Sequence, residues 1–295
     1  MKRTLSLLLA AAMALSMSAC QNETTLPPEG TTDSSVLPVE NPGFSGTTIT
    51  LSDEEISVNG ETISNDENSA VYAANDIVFY LEGQDFTYGE GTEDDAHSQE
   101  EADRHTVIHI TEAGDYQLSG KLSAGQIAID LGEDAENDPN AVVNLYLNNA
   151  NISCTVAPAV IFYNVYECGS SDAENAAKDV DTSAAGANVY LVDGSINTVN
   201  GSYVARIYKP DSVVLNEAGT EVEDAKKLHK YDAAFYSRRS INIGAGATGT
   251  GTLCINATNE GLGSEMHLTV NGGNVSILSQ DDGINTNEDN ISVTT

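Results

Sequence analysis

Two stretches near the C-terminus decide the fold, EGLGSEMHLTV (260–270) and DGINTNEDNISV (282–293). Gly261, Leu262 and Ser264 of the first return in the second as Gly283, Ile284 and Thr286, a step of twenty-two positions, and the preceding acid returns too, Glu260 becoming Asp282. Upstream, Ser237, Ile241 and Ile243 precede Ser264, Leu268 and Val270 by twenty-seven positions, whereas Leu253 and Ile255 precede Val275 and Ile277 by twenty-two. The five extra residues fall in the glycine-rich run from Gly244 to Gly251. Insertions confined to one turn, with apolar positions held in phase, mark a solenoid whose repeats bury their apolar faces against one another.

The same pattern extends backwards. NVYLVDGSINTV (188–199) restates it around Val189, Leu191, Ile196 and Val199, and VVNLYLNNANIS (142–153) around Leu145, Leu147 and Ile152. TVIHITEAGDYQLSGKLSAGQIAIDLG (106–132) reads as three short strands separated by glycine turns. Inward aliphatics, no amphipathic helices between strands and turns of Gly, Asn and Asp predict an all-β, single-stranded parallel β-helix with coils of about 22 residues and loop insertions. A leucine-rich repeat would need LxxLxLxxN, which is missing. Coils of residues 105–295 would then stack about 4.8 Å apart, so equivalent side chains sit above one another. Residues 47–104 are expected to supply an N-terminal cap and a long acidic surface loop, Asp85 to His105, in which His97, His105 and nearby His109 are solvated. The chain stops at NISVTT inside a strand, so the C-terminal coil is expected to be incomplete.

Residues 1–20 carry Lys2 and Arg3, an apolar run from Leu5 to Met17 and small residues leading into Cys20. This is an export signal and resembles that of a bacterial lipoprotein, which implies lipidation at Cys20 and anchoring at the extracellular face of a bacterial membrane. Residues 21–46, with Pro27, Pro28, Pro38 and Pro42, read as a flexible tether. The net charge of −33 falls to −35 without Lys2 and Arg3. Such a surface repels nucleic-acid phosphates and attracts divalent cations. Cys154, Cys168 and Cys254 have no CxxC spacing; Cys154 and Cys168 could pair, and Cys254 has outward parity. The only basic cluster, Lys226, Lys227 and Lys230, falls in a hydrophilic insertion, 203–231, where a short helix is expected.

Glu260 and Asp282, one repeat apart, head a group of oxygen donors comprising Asp281, Asn285, Asn287, Glu288 and Asp289. Stacked carboxylates repel unless they splay into water or share a cation, and calcium takes six to eight such oxygens. Neither an EF-hand nor GGxGxD spacing is present, and a solvated acidic turn is the competing reading. QDDGIN (280–285) resembles the paired aspartates of polygalacturonases, but NTD and HisGly motifs are missing and RIYK (206–209) stands in poorly for RIK. A lyase would need a basic residue such as Arg238 or Arg239, but at least one of these is expected to pair with an acid. There is no Trp, and Tyr163, Tyr166, Tyr190, Tyr203 and Tyr236 offer only single stacking faces.

The succession GDYQLSGKLSAGQIAID, VVNLYLNNANIS, NVYLVDGSINTV, AAFYSRRSINI and the two C-terminal stretches resembles the secreted bacterial carbohydrate-binding β-helix family. That family is similar to pectate lyases in fold but is not known as lytic. The resemblance covers about Ile49 to Thr295 and implies a right-handed helix, bound calcium and affinity for plant cell-wall polysaccharide, particularly polygalacturonate. Only the acidic turns around Glu260 and Asp282 carry over; Glu265 and Met266 stand where many relatives have lysine and aspartate. The expected protein is therefore a monomeric, non-catalytic polysaccharide binder, the alternatives being a calcium-stabilised adhesion scaffold or a lyase.

Overall fold

The structure, a computed structural model, describes residues 37–295 except 171–176, 178–179, 287–290 and 294–295, and only the backbone of 291–293. Cys20, Asn287, Glu288 and Asp289 lie outside the described residues. The protein is all-β with few short helices and long parallel sheets.

In the first sheet Thr47–Leu51, Gly114–Leu122, Val143–Ser153, Ala187–Leu191, Ile241–Ala245, Leu268–Val270 and Ile291–Val293 pair in that order, each parallel to the next. Ile196–Gly201, Thr252–Ala257 and Asn274–Leu278 continue the sheet as a second parallel row that begins on the far end of Val143–Ser153. The second sheet runs Thr106–Ile110, Gly125–Asp130, Val160–Asn164, Ala233–Ser237, Glu260–Ser264 and Ile284–Thr286, again all parallel. The chain thus alternates between the sheets, each visit pairing with the strand laid down before it.

Registers read from the repeats recur as hydrogen-bonded pairs. Leu262 faces Ile284 and Ser264 faces Thr286 across the shorter step, Ile241 faces Leu268 and Ile243 faces Val270 across the longer one, and Leu253 faces Val275. The five-residue excess lies between the strands ending at Ala245 and beginning at Thr252, as the glycine run requires. Inward residues form one continuous core in which Leu118, Leu145, Leu147, Ile152, Phe162 and Phe235 are fully buried. Each such side chain contributes about 1.5–3 kcal/mol through its removal from water.

The strands of 9 and 11 residues, Gly114–Leu122 and Val143–Ser153, are longer than expected because each bends from one row into the next. Their register slips by one residue between Leu118 and Gly120. Gly120 takes φ +91 and Asn149 takes φ +58 at this bend. Asn is the non-glycine residue best suited to that left-handed region, its short side chain bonding locally. Ile196 departs from the expected inward pattern at 61% exposure, since it starts its strand immediately after the Asp193–Gly194 turn.

Several local expectations need correction. The stretch from Asp85 to His105 is not a solvated loop, because it holds the helix Gln99–Ala102 capped by Ser98, and Ala102 and His105 are buried. His105 is 2% exposed, accepting from Thr155 N through Nε2 at 3.2 Å while its Nδ1 lies 3.0 Å from Glu101 O. His97 pairs with Glu101 at 3.1 Å, and His109 pairs with Asp76 at 2.8 Å and stacks on Tyr72. The insertion forms strands rather than a helix. Val204–Tyr208 pairs antiparallel with Lys227–Tyr231, and Val214–Leu215 with Val222–Asp224 around a turn held by Asn216 and Gly219. Nothing in LNEAGTEVEDAKKLHK presents an apolar stripe at helical spacing, whereas an antiparallel partner satisfies its backbone. Cys154 and Cys168 are unpaired, so they form no bridge with each other. Cys254 is buried despite its outward parity.

Candidate functional site

The basic insertion and the acidic repeats meet. Lys227 and Lys230 on the strand Lys227–Tyr231 line, with Tyr236, Glu260, Glu265 and Asn285, a cleft of about 420 Å³ beside the last strands of the second sheet. Ser264 and Thr286, which the repeat placed in register, lie on its wall.

Glu265 is the centre of charge compensation. Its Oε1 accepts from Lys227 Nζ at 2.7 Å and from the Tyr236 hydroxyl at 2.7 Å, and its Oε2 is 3.9 Å from Arg238 Nε. Burial first, and then the Glu265 charge, holds the Tyr236 phenol well above its ordinary range, so it serves as a donor. Lys230 Nζ lies 3.1 Å from Asp232. At least one arginine was expected to pair with an acid, and both do, Arg238 with Glu265 and the nearly buried Arg239 with Glu136.

Glu260 is different. It is 8% exposed and accepts from Asn285 Nδ2 at 2.6 Å. Its carboxyl is held above the ordinary value, mainly by burial; the Asn285 bond opposes this, and the charges of Asp232, Asp282 and Asp281 add to it. Asp282 and Asp281 are exposed, and the Asp282 carbonyl accepts from Gly261 N at 3.0 Å. The structure therefore brings Glu260 and Asn285 onto neighbouring strands, with Asp282 just before the second of them. Carboxylate and amide oxygens are the donors that a hard cation takes. Among the described residues no three of His, Cys, Asp and Glu gather closely enough to hold an ion.

Sequence reasoning missed a buried network behind this cleft. Glu167 accepts from Ser240 N at 2.7 Å and from Ser240 Oγ at 2.8 Å, and Ser240 Oγ lies 3.1 Å from His267 Nδ1. His267 Nε2 is 2.6 Å from Ala177 O. A Ser, a His and a carboxylate meet here, but the carboxylate touches the serine rather than the imidazole, and all three side chains are buried. That arrangement ties together neighbouring turns and leaves no imidazole nitrogen for a substrate. The residues are scattered from 167 to 267, and no local motif signals them.

A relative from Acetivibrio thermocellus, described as a carbohydrate-binding domain-containing protein, is 28% identical over 171 residues. The match covers 58% of this chain and 44% of that relative, so the chain spans less than half of the relative's length. No solved structure matches. A family model described as carbohydrate-binding domain-containing protein matches residues 104–295, which hold every strand of the two parallel sheets named above except Thr47–Leu51. The chain belongs to this family of carbohydrate-binding domain-containing proteins.

Proposed function

We propose that this is a non-catalytic polysaccharide-binding protein whose alternating parallel sheets form a right-handed, single-stranded parallel β-helix, and which recognises an acidic plant cell-wall glycan such as polygalacturonate in a calcium-dependent way. The single observation that carries the glycan reading is the cleft in which Lys227, Lys230, Tyr236 and Asn285 meet beside Glu260 and Glu265. It places cationic, amide and hydroxyl groups within one groove of a chain at −33, where a uronate would otherwise be repelled. Calcium would be held by Glu260, Asp281, Asp282 and Asn285 together with Asn287, Glu288 and Asp289, and would supply positive charge between these oxygens and a uronate carboxylate. Export and lipid anchoring through Cys20 complete the proposal, presenting the domain outside the cell as a monomer.

Affinity electrophoresis through gels containing polygalacturonate tests it. Retardation in calcium and release in excess EDTA are expected. Retention that is indifferent to EDTA overturns the calcium bridge. No retention by any acidic or β-linked glycan overturns carbohydrate binding in favour of an adhesion scaffold, and unsaturated product absorbance would reveal a lyase.

A further inference from the structure

One outward row of the first sheet has a feature that the cleft does not explain. Gln117, Tyr146, Tyr190 and Gly244 are consecutive register partners across four parallel strands. Tyr146 and Tyr190 stack with ring centroids 5.0 Å apart and planes at 23°, and Phe44 closes edge-on against Tyr146 at 5.2 Å. The aromatic pile is therefore covered at the Tyr146 end. At the other end stands Gly244, which has no side chain to stack on the second face of Tyr190.

Neither conformation nor crowding accounts for that glycine. Gly244 is not among the residues with positive φ. A Cβ built on it would meet nothing closer than Tyr190 Cδ1 at 3.6 Å, an ordinary contact. A glycine inside a strand weakens it and often marks a bulge, a tight bend or a close approach of a ligand or another backbone; the register through Gly244 is unbroken, so no bulge explains it. Strands are about 4.8 Å apart, so a row that lacks one side chain gains about one strand spacing beyond Tyr190.

We propose that Tyr190 is the floor of a second glycan-binding site, which takes the apolar face of an uncharged pyranose in the space left by Gly244. This rests on the carbohydrate-binding reading but uses a different face from the Lys227 cleft. The charge nearby selects the sugar class. Asp115 sits beside the row, holding Asn144 Nδ2 at 2.7 Å, and Asp193 follows Tyr190 closely in the chain, accepting from Thr248 N at 2.9 Å. Negative charge on and near the row disfavours a uronate there. Asn271, exposed one residue after Val270, the register partner of Ile243, adds an amide at the open end.

Isothermal titration of the full chain with cellohexaose, xylohexaose and mannohexaose, alongside polygalacturonate gels, tests the site. At least one neutral hexasaccharide is expected to bind. Tyr190→Ala should weaken it by about tenfold, the scale of one aromatic stacking contact, while Tyr190→Phe keeps it. Gly244→Leu should weaken it similarly by covering the ring, with an unchanged melting temperature and unchanged retention on polygalacturonate. Polygalacturonate binding with no neutral hexasaccharide bound, or equal affinity in wild type and Tyr190→Ala, overturns the second site and leaves the cleft standing. Failure of every glycan of either kind overturns both.

Discussion

Asn285 donates its side-chain N–H to Glu260 Oε1 across 2.6 Å, bridging the two final strands of the second sheet. This bond is the one neutral donor set against three neighbouring carboxylates. It joins the two repeats whose similarity organises the fold, on the wall of the cleft.

Because the Glu260 carboxyl is raised in the folded state, its ionised form disfavours folding. In the window between the ordinary carboxyl value and the higher folded one, the native state binds more protons than the unfolded state, so stability falls as pH rises through that window. Glu260→Gln is therefore expected to raise the melting temperature at pH 7, with the gain fading at acid pH and shrinking in calcium. Equal melting temperatures across the whole pH range would contradict the electrostatic account.

Lys227 is half exposed, so its bridge to Glu265 adds only about 0–1 kcal/mol to stability. Lys227→Ala should leave the urea midpoint nearly unchanged yet weaken retention on polygalacturonate, because Glu265 then presents an uncompensated charge to the glycan. Retention equal to wild type would remove Lys227 from the site.

Asn197, fully buried, accepts from Ala150 N at 3.0 Å and donates to Ser195 Oγ at 2.8 Å and to Thr252 O at 3.0 Å. It ties three turns together where the long strand changes row. Asn197→Ala leaves a buried backbone N–H without a partner and should cost about 1–3 kcal/mol, read as a lower urea midpoint at constant slope.

At the same bend Gly120 has φ +91, and a Cβ there would lie 2.3 Å from Leu51 O. Gly120→Ala is expected to destabilise by about 1–3 kcal/mol or more. The contrast with Gly244→Ala, where no atom comes within 3.6 Å, separates a glycine required by the backbone from one that the fold does not need.

The register of the strands was legible because identical steps in sequence must become identical steps in space when each strand hydrogen-bonds to its predecessor. Leu262 to Ile284 and Ile241 to Leu268 follow directly from that rule. The insertion was not legible: its short strands pair with each other, pack Val204, Ile207 and Tyr231 into the core, and are tied by the Gly89–Ile207 bridge to the stretch expected to be a loop, all contacts distant in sequence. His105 looked solvated for the same reason, since its partner Thr155 lies far along the chain. Half of the site was visible in the repeats. The other half, Lys227 and Lys230, was visible only as a basic cluster with no address.

Sequence alone determined the β class, the parallel stacking interval and the meeting of Leu262 with Ile284, because periodicity is a one-dimensional property that parallel pairing preserves. The tertiary structure decided which outward residues share a surface. Only it sets Lys227 against Glu265, buries Ser240 with His267, and lays Tyr146 and Tyr190 face to face beside Gly244. Those meetings depend on where long connections return, and the length and composition of a connection leave its path open until packing fixes it.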